Sequence, residues 1–101
     1  MKEINIPFKE QFQKAILEGQ KICTTRTKIY GKIGDRFRVF NAEFEIIAVC
    51  PSIALWVGNY LYKEEGFENP GNFHILWGKI HPRLRPDTVV FVHFFKRIDN
   101  T

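Results

Sequence analysis

At 101 residues, 45% of them apolar, the chain has room for one core and not for two. Ten Phe, three Tyr and two Trp supply large buried area, so neither disulfides nor a structural metal is needed to hold it. A formal charge of +4 and a pI near 9.2 fit an anionic partner such as RNA and fit a solvated surface equally, while no apolar run is long enough to span a bilayer.

Residues 1–6 alternate charge with Ile, unlike the apolar stretch of a signal peptide. Cys23 and Cys50 form no CxxC pair, so the expectation is a cytoplasmic chain with free, mostly buried thiols. One domain over residues 1–101 is expected, without repeats or linkers.

Ile4 and Ile6 suggest a short strand broken by Pro7. Phe8, Phe12, Ala15 and Ile16 then fall at i, i+4, i+7 and i+8 among polar residues. That stripe predicts a helix over 8–18, capped at its C-terminus by Gly19. Residues 22–26 turn β-branched and read as a strand, and residues 27–34 read as a mobile basic loop.

Residues 36–40 alternate apolar and polar, and so do residues 43–46 with their continuation to Cys50. The two runs predict a hairpin turning at Asn41-Ala42, with Pro51-Ser52 interrupting the second strand. Residues 53–62 fit either strand or helix. Asn69 followed by Pro70 has the pattern of an N-cap and first helical residue, and Phe73, Leu76, Trp77 and Ile80 follow at helical spacing. Residues 88–95 are apolar on both faces, the mark of a central strand. The sum is an α+β chain of about five mostly antiparallel strands, a number that tends to close into a small barrel and so removes exposed edges.

Chemistry concentrates directly after the first helix stop, where residues 21–26 hold an amine, two hydroxyls and a guanidinium. The order helix, Gly19, Lys21, Thr24, Arg26, then Gly34-Asp35 before a strand, then Glu65-Gly66-Phe67 before a helix, resembles the ASCH domain family. The likeness covers roughly residues 6–97 and implies a small PUA-like β-barrel with flanking helices. The placement of Lys21, Thr24 and Arg26 is similar to the small bacterial amidohydrolases that deacetylate N4-acetylcytidine. That resemblance implies Lys21, Thr24 and Glu65 as the catalytic set, with Arg26, Thr25, Tyr30 and Phe67 as candidate substrate-binding residues. The implied partner is a nucleoside or RNA, with no cofactor, no metal and no membrane. The alternatives are a non-catalytic RNA-binding module using the same basic cleft, and a ribonuclease.

Amide hydrolysis needs an activated oxygen and a proton for the departing amine. A lysine can move protons near neutral pH when burial or a neighbouring cation loosens its hold. Thr24 fits either as a hydroxyl activated by Lys21 or as a donor to the tetrahedral oxyanion, and Glu65 either shuttles a proton or holds the cytosine amine. Residues three apart on a regular strand face opposite ways, so Lys21 must lie in the turn after Gly19, or at a bulge, to meet Thr24. Gly66 after the acid suits a positive φ that turns Glu65 back toward the barrel.

The segment with Pro70, Gly71 and Trp77 departs from those amidohydrolases. Residues 79–86 form a basic, proline-bounded loop that fits RNA phosphates or plain solvent. Tyr30, Trp56 and Tyr60 could stack a base, although Trp56 and Tyr60 at four apart also fit a core stripe. His74, His81 and His93 lack ligand spacing, and His93 suits a satisfied interior position.

Overall fold

The computed structural model describes residues 2–99. Four strands form one antiparallel sheet in the order β1-β4-β3-β2. They are β1 (Cys23–Arg26), β2 (Arg36–Val39), β3 (Ala42–Ile53) and β4 (Val89–Arg97). The sheet curls into a half-barrel flanked by helices α1 (Gln13–Leu17), α2 (Ala54–Tyr60) and α3 (Pro70–Ile80). β4 lies between β1 and β3, where its two apolar faces require it to be.

Among the described residues a fifth strand does not form. In its place residues 2–9 run without helix or regular strand, joined to the sheet at both ends. Ile4 N–H donates to Arg36 O, Arg36 N–H donates to Lys2 O, and Glu3 makes a single parallel bridge to Arg36. At the other end the Arg26 guanidinium donates to Pro7 O. The N-terminal segment therefore ties the β2 edge to Arg26 of β1, and it covers the Arg36 backbone groups that would otherwise be open to pairing.

The first helix starts later than residue 8 and ends at Leu17. A 3-10 turn over Glu10–Phe12 leads into α1, and Lys9 is extended with ψ 143. Phe8 instead turns inward and stacks on Phe37 at 5.9 Å. Burying an aromatic ring outweighs one more turn of a short helix. Asn69 caps α3 as expected, its side-chain oxygen accepting from Asn72 N–H at 2.8 Å with Pro70 behind it.

The hairpin turn is one residue earlier than the sequence suggested. Phe40 and Asn41 carry it, with φ of 52 and 62, the left-handed pair that suits strand twist in two-residue turns. β3 then continues through Pro51, which pairs with Phe91. β2 covers β3 from Ala42 to Glu45 and residues 34–35 bond Ile46, so beyond that point the strand has an open edge, where a ladder tolerates proline. A register shift between Ile46 and Ala48 leaves Ile47 exposed.

Two apolar clusters flank the sheet. One joins Ile6, Ile16, Phe37, Phe44, Ile46 and Phe95; the other joins Cys23, Val57, Phe73, Val90 and Val92 under α2 and α3. Cys50, expected to be buried, is exposed on the open part of β3.

His93 is fully buried and satisfied, as its place in the last strand suggested. Its Nε2 accepts from Tyr30 N–H at 3.0 Å, so the ring proton sits on Nδ1 and is donated to Phe91 O at 3.1 Å. This contact pins the 27–34 loop, which the sequence read as mobile. Burial holds His93 below its ordinary pKa, against the pull of its Phe91 acceptor. The neutral ring therefore stabilises the fold fully above about pH 6.5, and that stability is lost as pH falls through the lowered folded value. Melting temperature should drop between pH 7 and pH 5, and the drop should shrink in His93→Gln, which keeps an acceptor for Tyr30. An unchanged pH profile in that variant would remove His93 as the cause.

Candidate functional site

The chain leaves α1 through Gly19, whose φ is 79. Gly19 N–H donates to Ile16 O, and the N–H groups of Gln20 and Lys21 both donate to Ala15 O. Such a left-handed cap reverses the chain abruptly. Lys21 consequently lies in the turn ahead of β1, almost fully buried, with its ammonium 4.7 Å from the centre of the Phe12 ring.

The second half of the site comes from the chain after α2. Ile22 and Cys23 donate their N–H groups to Glu64 O, which staples the start of β1 to residues 64–66. Gly66 has a φ of 93, and the Glu65 side chain turns inward, 3% of the residue remaining exposed. Lys21 Nζ donates to Glu65 O at 2.7 Å and to Glu65 Oε1 at 3.1 Å. Thr25 Oγ1 donates to Glu65 Oε2 at 2.6 Å, and Cys23 Sγ approaches the same oxygen at 3.6 Å. Glu64 contributes backbone only to these contacts.

Strand alternation sorts the two threonines. Lys21, Cys23 and Thr25 converge on Glu65, whereas Thr24 Oγ1 accepts from the Arg26 guanidinium. The hydroxyl bonded to the acid is thus that of Thr25. Burial pushes the Cys23 thiol far up, and the Glu65 charge adds to this, so the sulfur stays protonated and inert. Burial lowers Arg26, with Glu65 opposing, and the guanidinium remains a cation held between Phe8 at 5.3 Å and Tyr30 at 5.8 Å.

A Cβ on Gly66 would lie 3.1 Å from Lys21 Cβ. Gly66→Ala therefore combines a disfavoured φ with a clash against the buried lysine. The variant should lose about 1–3 kcal/mol in urea denaturation, together with any activity that depends on Lys21. Wild-type stability in this variant would contradict that crowding.

These groups open into one cavity of about 400 Å³. Lys21, Thr24, Thr25, Arg26 and Glu65 form its polar floor. Tyr30 and Phe8 wall one flank, and Phe67 with α3 walls the other. Trp56 and Tyr60 lie elsewhere, 57% and 65% exposed and tilted against each other at 4.6 Å, so they are neither core nor cavity wall. Of the basic stretch 79–86, only Ile80 and His81 reach the cavity.

Sequence reasoning missed His81. It follows α3, lies tilted against Trp77 at 4.3 Å and is held below its ordinary pKa by burial and then by Arg26. The i, i+4 spacing from Trp77 was the available signal. Among the described residues no cluster of three or more His, Cys, Asp or Glu is placed to hold a metal ion, and no helix is long and apolar enough to cross a membrane.

No protein-family model matches the sequence, and no curated protein matches it either. Solved structures do. An ASCH domain from Lactobacillus crispatus superposes with a TM-score of 0.70 at 16% identity, covering 95% of this chain and 78% of its own. A point mutant of an ASCH protein from Zymomonas mobilis gives 0.68 at 16% identity, covering 98% and 76%. A protein from Pyrococcus furiosus gives 0.64 at 13% identity, covering 99% and 100%. The chain has the fold of ASCH domains, an α+β half-barrel of the PUA-like kind.

Proposed function

We propose that this cavity hydrolyses the N4-acyl amide of a cytidine-type nucleoside, with Lys21, Thr24 and Glu65 as catalytic residues and no cofactor. The observation that carries the reading is the Glu65 carboxylate, buried with an ammonium on one oxygen and lining the same cavity as the Thr24–Arg26 pair. A carboxylate offers about four acceptor sites. Lys21, Thr25 and Cys23 occupy three, which leaves one for a water.

The chemistry follows from these roles. Glu65 takes a proton from the water as its oxygen bonds to the acyl carbon. The charge that develops on the carbonyl oxygen is met by the Thr24 hydroxyl, whose oxygen is already polarised by Arg26. Lys21 gives a proton to N4 as the C–N bond breaks, releasing cytidine and the carboxylic acid. Transfer of the proton from Glu65 to Lys21, 3.1 Å apart, then restores both groups. Thr25 keeps Glu65 Oε2 in place, while Arg26, Tyr30 and Phe67 bound the substrate.

Chromatography of N4-acetylcytidine incubated with the purified chain tests this. Cytidine should appear, Lys21→Ala should abolish it, and Thr24→Val should lower kcat by about 10²–10³-fold. The second reading, a non-catalytic RNA-binding module, draws on Arg26 held between two aromatic rings, an arrangement suited to stacking a base. Absence of turnover, with micromolar single-stranded RNA binding that weakens steeply with salt, would replace the first reading by the second.

A further inference from the structure

We infer that the α3 side of the cavity is an acyl subsite, and that the substrates are N4-acylcytidines whose acyl group is apolar and larger than acetyl, such as a medium-chain or aromatic acyl. This inference rests on the amide-hydrolysis reading and goes beyond it to the substrate class.

The cavity is divided by chemistry. Every group in the polar floor comes from residues 21–26 or from Glu65. The flank at the N-terminal segment holds Arg26 between Phe8 and Tyr30, with Lys9 at the rim, and so offers stacking and donors for a pyrimidine and its ribose.

The opposite flank is different in kind. Phe73, Leu76, Trp77 and Ile80 fall at i, i+3, i+4 and i+7 of α3 and all line the cavity. At 1.5 Å per residue the stripe is about 10 Å long. Phe73 stacks parallel on Trp77 at 5.8 Å and meets Phe67 edge-on at 5.5 Å, so the wall is rigid where it joins the floor. Ile80, at the far end, lines the cavity and is still 46% exposed. A helix stripe of this composition normally buries itself in a core. Here its outer part faces a concave space, which is the usual sign of a ligand surface.

With the scissile carbonyl over Glu65 and Thr24 and the base against Arg26, the acyl group has one direction left, along α3. An acetyl methyl covers one side chain of that wall. A six-carbon chain or a phenyl ring covers most of it, and the stripe's one polar group is the Trp77 indole N–H, with His81 beside it at the far end.

The test is kcat/KM for N4-acetyl-, N4-hexanoyl- and N4-benzoylcytidine with the purified chain. The larger two should exceed acetyl by about tenfold or more, and Ile80→Asn should shrink that ratio severalfold. Acetyl turned over as well as or better than the others overturns the acyl subsite and leaves amide hydrolysis standing. If none is hydrolysed, the hydrolysis reading fails, and the same three compounds are titrated calorimetrically against the intact protein. Tighter binding of the hexanoyl and benzoyl compounds would then keep the subsite as a binding site, whereas equal affinity or no binding would overturn it.

Discussion

Lys21→Met should lower the unfolding free energy by about 3–5 kcal/mol, and Lys21→Met combined with Glu65→Leu should recover most of that loss. The side chains of this pair are only 2% and 5% exposed, so neither charge has bulk solvent to replace its partner. Removing the ammonium leaves a carboxylate whose remaining donors are Thr25 and Cys23, the second of them weak. Removing both charges leaves an apolar pair of similar volume in a site already walled by Phe12 and Phe67. Urea denaturation of the wild type, the single variant and the double variant measures the difference. A double variant as unstable as the single one would mean that the side-chain shapes, and not the buried charge, set the stability here. Neither variant should hydrolyse an N4-acylcytidine, so the double variant separates fold from chemistry.

Phe37→Ala should cost about 3–5 kcal/mol, the range for emptying a buried aromatic site. Phe37 is 1% exposed, stacks on Phe44 at 5.4 Å, meets Phe95 edge-on at 5.4 Å and carries Phe8 at 5.9 Å. Phe8 in turn covers Arg26, so the effect should reach the site as a weaker grip on substrate as well as a lower melting point. Tyr60→Ala is the control: at 65% exposed and outside the core it should shift stability by less than about 0.5 kcal/mol. A Phe37→Ala loss under about 1 kcal/mol would show that the rings around it close the gap.

Local patterns made parts of the fold legible. Alternation marked the β2–β3 hairpin, the double-sided apolar run marked β4 as central, and Asn69-Pro70 marked the start of α3. What failed locally was decided by distant neighbours. An aromatic residue with a positive φ is a poor guess from sequence, and Phe40 holds that conformation while its ring packs against the first core cluster. Pro51 looked like a strand end because nothing in the sequence says that β2 is too short to cover it.

The site divides the same way. Gly19 announced the turn that buries Lys21, and Gly66 the turn that points Glu65 inward. Which threonine would face the acid depends on where residues 61–66 return to β1, a contact spanning forty positions. The α3 stripe was readable as a helix face; that its outer end would wall a cavity depended on the curl of the sheet opposite.

The cavity takes its walls from four stretches well separated in the chain: 7–12, 21–30, 65–67 and 73–81. No fragment of the protein holds enough of them to bind anything there, so a ligand recognises the assembled molecule and ignores the unfolded one. Occupancy and folding are then thermodynamically linked. A compound present at a hundred times its Kd adds about 2.7 kcal/mol to the folded state, a large increment for a chain of this size. Heating the protein with a panel of nucleosides, acylated nucleosides and short RNAs turns that linkage into an assay, in which the compound that most raises the melting point has found the cavity before any reaction has been observed.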